Sequence, residues 1–157
     1  MSEEVIHREM KGLADMTYKA HHIGITVRDI YASERFYDVL MSALGFDIAK
    51  KYKGHLDFAD MDVVEYVGED FDFSINSPKS DFKNEIVNSR KPGAVQHFAF
   101  NADSRDAVDA VFDRIKDLGV NILHDEARVY TKLGLNYYAL FFEDPDGIRF
   151  EVFHNGL

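Results

Sequence analysis

His22-Ile23-Gly24-Ile25-Thr26-Val27 alternates without a break between branched apolar side chains and small or polar ones. A period of two puts Ile23, Ile25 and Val27 on one face and His22, Gly24 and Thr26 on the other, so 21–27 is predicted to be a half-buried strand. Asp29 follows as a helix N-cap, and Ile30, Phe36, Tyr37, Leu40 and Leu44 make an apolar stripe over 30–44. Gly45 supplies the left-handed residue on which such a helix ends.

The pattern is then repeated. His97-Phe98-Ala99-Phe100 lies in a second predicted strand, 95–101, with His97 and Ala99 on one face and Phe98 and Phe100 on the other. Ser104 caps a helix to about 118 with Val108, Val111, Phe112, Ile115 and Leu118 as its stripe, and Gly119 ends it. His97 follows His22 by 75 positions and Gly119 follows Gly45 by 74. Short strands are expected near 46–52, 56–67 and 71–76 in the first half. In the second half they are expected near 120–124, 136–143 and 147–154, the last two joined by an Asp144-Pro145-Asp146-Gly147 turn. Each half therefore reads βαβββ. The predicted fold is α+β: two βαβββ modules forming one curved mixed sheet, helices outside, around a concave cavity. Module one is placed at 19–77, a polar linker at 78–93 and module two at 94–157; 1–18, with Ile6, Met10 and Leu13 at helical spacing, is an N-terminal arm or helix.

Two histidines thus occupy equivalent positions of repeated strands, both on the inner face, beside Gly24, Thr26 and Ala99, which leave room for a ligand. The last strand adds a third group. Ile148, Phe150 and Val152 alternate toward the helices, which turns Arg149, Glu151 and Phe153 inward. A mid-strand carboxylate is costly to bury unless paired or bound to a cation. His22, His97 and Glu151 are therefore the candidate ligands of one divalent ion, with positions left open for water or substrate. On strand 71–76, Ser74 faces the cavity and is assigned to substrate or metal-bound water, with Asp72 and Asn76 as the alternatives should the register slip. Arg149 is expected to pair with a substrate anion, and Tyr137 or Tyr138 to line the pocket, Tyr138 being taken as the substrate contact. His7, His21, His55, His124 and His154 are read as surface groups or as supports for the ligands.

Composition bounds the rest. A chain of 157 residues with 46% apolar and 29% charged side chains suits one globular domain. No apolar run approaches a membrane span, and Met1-Ser2-Glu3-Glu4 does not open a secretory leader, so cytoplasmic residence is the expectation. There is no cysteine, which excludes disulfides and thiolate ligands. A formal net charge of −10 with scattered Lys and Arg argues against nucleic acid and anionic membrane surfaces as partners.

The segments His22 to Asp29, Phe36-Tyr37, Leu44-Gly45-Phe46, His97 to Phe100, Leu118-Gly119-Val120 and Asp144 to Glu151 resemble the vicinal oxygen chelate superfamily. That group holds glyoxalase I, fosfomycin-resistance proteins, methylmalonyl-CoA epimerase, extradiol dioxygenases and bleomycin-resistance proteins. The resemblance implies paired βαβββ modules around one divalent metal (Zn, Ni, Mn, Fe or Co), ligands at His22, His97 and Glu151, a small-molecule substrate and a homodimer. It implies an enzyme of glyoxalase type, a lyase, isomerase or transferase, that chelates neighbouring substrate oxygens and stabilises an oxyanion or enolate. For the base it leaves Glu151, transiently released, or a metal-bound hydroxide. Glyoxalase I usually carries a further Glu where this chain has Ser74. The family also offers an Fe(II) extradiol-type dioxygenase and a non-catalytic drug-sequestering protein.

Overall fold

The computed structural model describes residues 19–133 and 136–156, so the N-terminal stripe of Ile6, Met10 and Leu13 lies outside the described residues. The chain folds as β1 (His22–Thr26), α1 (Ile30–Ala43), β2 (Tyr52–Leu56), β3 (Met61–Tyr66) and β4 (Asp72–Asn76). The second module is β5 (Phe98–Asn101), α2 (Arg105–Ile115), β6 (Arg128–Val129), β7 (Tyr138–Glu143) and β8 (Arg149–His154). Among the described residues no helix is long and apolar enough to cross a membrane.

Local chemistry sets the helix ends. The Asp29 carboxylate accepts from the amides of Tyr31 and Ala32, each at 3.0 Å, and the Ser104 hydroxyl accepts from the amide of Ala107 at 3.1 Å. Gly45 and Gly119 take φ of 93° and 72°, where a side chain would be strained. α2 stops at Ile115, three residues short of the expected end, and Leu118 in the following turn is 41% exposed instead of joining the stripe.

The strands form two four-stranded sheets, ordered β1-β4-β3-β2 and β5-β8-β7-β6, so the internal repeat holds down to strand order. In each sheet the first and last strands of the module are parallel and the other pairs antiparallel. The fold class is as expected, but the sheet is divided. β1 bonds to β4 and β5 to β8, and no ladder joins β1 to β5. The segment expected as a strand at 46–52 is a 3-10 turn, Ile48–Lys50, because the Asp47 carboxylate caps Ala49. The strand expected at 120–124 is reduced to a bridge between Ile122 and Phe142 before another 3-10 turn, and β6 takes its place in the sheet.

One apolar core spans both modules. α1 packs against α2, and Ile25, Phe36, Leu40, Phe73 and Ile75 share a cluster with Val108, Ile115, Leu140 and Phe150. Phe150 is its hub, with ring centroids 6.0 Å from Tyr37, 6.1 Å from Phe73 and 5.5 Å from Phe98 and Phe142. The Asp-Pro-Asp-Gly turn is a clamp between modules. Asp146 accepts from the backbone amide and the Nε of Arg28, at 2.8 and 2.6 Å. Asp144 accepts from the Tyr37 hydroxyl at 2.6 Å and from the amides of Asp146 and Ile148 at 2.9 and 2.7 Å.

Candidate functional site

The open faces of the two sheets carry the ligand-type residues. On the first sheet His22, Gly24 and Thr26 are exposed. Gly24 lies opposite Ser74, which in turn lies opposite Glu65 on β3, so Ser74 and Glu65 share the His22 face. A Cβ at Gly24 would sit 2.9 Å from the Ser74 hydroxyl and 2.8 Å from Asn76 Nδ2, so the absent side chain is what lets these polar groups lie over the strand. In the parallel pairing of β1 with β4, Asp72, Ser74 and Asn76 lie opposite His22, Gly24 and Thr26.

On the second sheet His97 stands one residue before β5, and Ala99 lies opposite Glu151 on β8. His97 Nε2 is 3.4 Å from Glu151 Oε2. The Tyr137 hydroxyl donates to Glu151 Oε1 at 2.6 Å. His97 Nδ1 lies against Gln96 Oε1; in the tautomer that donates to this oxygen, Nε2 keeps a lone pair. Glu151 is buried, at 4% exposure, while His97 is open. Two lone-pair-bearing atoms facing each other at that distance repel unless a cation or proton lies between them. Two donors of one tetrahedral ion, each about 2.1 Å from it, sit roughly 3.4 Å apart. His97 and Glu151 therefore fit as half of a ligand set. Burial, then the Glu151 hydrogen bond and charge, hold the Tyr137 phenol well above its ordinary value, so it stays a donor.

His22 does not join them within the chain: among the described residues no three His, Asp or Glu side chains form a metal-holding group. The divided sheet is the reason, since the strands carrying the two histidines are not neighbours.

His97 and Glu151 open onto a cavity of about 900 Å³, also lined by Tyr130, Tyr137, Phe141 and Arg149. Arg149 is held at 3.0 Å by Glu143 across the β7–β8 pair. Tyr138, expected in the pocket, faces the other way. Its hydroxyl donates to Asp109 on α2 at 2.7 Å, with the Arg105 guanidinium 5.2 Å above its ring. Tyr137 precedes the strand and is the tyrosine that reaches the site. The period-two rule had the signal, because Tyr137 shares parity with Ala139 and Phe141, opposite Phe153 and Glu151. His154, expected among the supporting groups, bonds the Ala102 carbonyl through Nδ1 at 3.0 Å. Sequence reasoning missed Gln96, which alternation put on the face opposite His97, and Tyr130, which lies in a segment without periodicity.

A sequence model of the Glyoxalase/Bleomycin resistance protein/Dioxygenase superfamily matches residues 19–152. The uncharacterized protein YqjT of Bacillus subtilis is 27% identical over 132 residues, covering 84% of this chain and 95% of that protein. A glyoxalase-like crystal structure from Bacillus halodurans superposes with a TM-score of 0.69 at 26% identity, covering 86% of this chain and 94% of that one. The fosfomycin resistance protein FosX of Listeria monocytogenes, an E126Q mutant solved with Mn(II) and 1S,2S-dihydroxypropylphosphonic acid, superposes with a TM-score of 0.61 at 20% identity. That match covers 88% of this chain and 93% of FosX.

Proposed function

Because the chain belongs to the Glyoxalase/Bleomycin resistance protein/Dioxygenase superfamily, we propose that it is a divalent-metal-dependent enzyme of glyoxalase type acting on a small molecule with neighbouring oxygens. The observation that carries this reading is the His97–Glu151 pair, 3.4 Å apart beside the cavity with Tyr137 behind the carboxylate. His97 Nε2 and Glu151 Oε2 would hold the ion, with His22 supplied by a second copy of the chain. Support for that donor is the exposure of both histidine-bearing strand faces, each of which carries part of a ligand set. The ion supplies Lewis acidity toward two adjacent substrate oxygens.

The protein's own part is positioning and proton control. Gln96 keeps the imidazole in the tautomer that presents Nε2. Tyr137 occupies Glu151 Oε1 and leaves Oε2 facing His97, where it would hold the ion and, only when released from it, take a proton from substrate carbon or oxygen.

Elemental analysis of the purified chain tests the reading. About one equivalent of divalent metal per chain is expected, with loss of most of it in His97→Ala and in His22→Ala. Less than about half an equivalent after dialysis against Zn(II), Mn(II) and Ni(II) in turn overturns it. Oxygen uptake with catechols by the iron-loaded protein would move the assignment to a dioxygenase.

A further inference from the structure

The His97–Glu151 cavity carries a second chemistry that metal ligation does not use. The chain as a whole is acidic, with 28 Asp and Glu against 18 Lys and Arg. The cavity wall reverses that balance: Arg128, Lys132 and Arg149 line it, and Glu151 is its one described acidic residue. Arg149 is already neutralised by Glu143. Arg128 is not. Its guanidinium lies 5.4 Å over the ring of Tyr130, and among the described residues neither it nor Lys132 meets a carboxylate within ion-pair distance.

Tyr130 supplies an independent observation. Its hydroxyl is the one buried side-chain polar atom without a hydrogen-bond partner among the described residues. An unsatisfied buried hydroxyl costs on the order of 1–3 kcal/mol, so its position calls for an acceptor that arrives with a ligand. The ring is fixed edge-on against Phe141, with centroids 5.0 Å apart, and the backbone amide of Tyr130 donates to the Tyr137 carbonyl at 2.8 Å. The donor is therefore preorganised. Arg128 and Tyr130 stand two residues apart along the β6 direction and share a face, and Leu123, Val129 and Leu133 supply apolar wall nearby.

We propose that the substrate is a small organic anion. Its charged oxygens are received by Arg128, Lys132 and the Tyr130 hydroxyl, its apolar body rests on the Leu123–Phe141 wall, and its reacting end meets His97 and Glu151. The proposal rests on reading this cavity as the active site and names the substrate class of that site.

The test uses the full chain and two probes of nearly equal shape, benzoate and neutral benzamide, titrated by heteronuclear NMR with and without a chelator. Benzoate is expected to bind the wild type at least tenfold more tightly than benzamide, with the preference reduced about tenfold in Arg128→Gln and severalfold in Lys132→Gln. Tyr130→Phe is expected to weaken benzoate about fivefold while leaving benzamide unchanged. Equal binding of the two probes by the wild type, or a preference untouched in both Arg128→Gln and Lys132→Gln, overturns the proposal. Amide spectra verify that each variant is folded. The metal reading is scored separately: Arg128→Gln and Lys132→Gln are expected to keep the wild-type metal content, whereas His97→Ala is expected to lose metal and keep the benzoate preference. If His97→Ala loses the preference as well, the anion is held by the ligand set and the proposal fails.

Discussion

Tyr137 and Asp144 show what single side chains do here. The Tyr137 hydroxyl bond to Glu151 Oε1 orients the carboxylate, and if Glu151 ligates the proposed ion, a support of this kind changes metal affinity by about 10- to 100-fold. Tyr137→Phe is expected to lower metal affinity by that factor at unchanged thermal stability of the metal-free protein, measured by competition with a chromophoric chelator. Asp144 is 4% exposed, and burial pushes its pKa from 3.8 up to about 6, with the neighbouring Asp146 charge adding to the rise against the Tyr37 and backbone hydrogen bonds. A carboxyl with a raised folded-state pKa binds a proton more readily when folded. Its contribution to stability is full below pH 3.8 and is lost as pH rises through 6, a change of about 3 kcal/mol. The stability difference between wild type and Asp144→Asn should therefore shrink between pH 4 and 6.5, read from denaturant midpoints at each pH. A constant difference would contradict it. The sequence showed these carboxylates as turn residues. Their partners Tyr37 and Arg28 stand over 100 positions away, beyond any local pattern.

Elements followed the sequence where two signals agreed. The alternation over 21–27 and the Asp29 cap with its stripe gave β1 and α1 to within a residue or two. Asp29→Ala removes the acceptor for two amides and is expected to cost about 1 kcal/mol in chemical denaturation, with Asp29→Asn recovering most of it. Short apolar runs were less reliable guides. Residues 46–52 and 120–124 have strand-like composition, yet each contains a 3-10 turn, the first set by the Asp47 cap and the second by left-handed His124 and Asp125 at φ of 64° and 61°. β6 is two residues long and carries no period to detect, although it bears Arg128 and leads to Tyr130.

For the whole molecule, Phe150 and the division of the sheet decide behaviour. Phe150 is fully buried among rings from both modules, so Phe150→Ala is expected to cost about 3–5 kcal/mol in a single cooperative transition. A two-step transition would show that the modules fold separately. If His22 completes the site of a second copy, a heterodimer of His22→Ala with His97→Ala keeps one intact site, and should hold about half an equivalent of metal per chain where each homodimer holds almost none. Metal absent from the purified heterodimer would mean that the ligands are drawn from one chain. The amino-acid sequence by itself determined the repeat, the helix caps and the buried faces, because periodicity, capping and turn chemistry act within a few residues. Only the tertiary structure decided that the sheet is divided, that His97 and Glu151 meet while His22 stands apart from them, and that Arg128 and Tyr130 share the cavity. Those facts depend on which strands bond to which and how two modules pack around Phe150, and such long-range pairings leave no trace in local pattern.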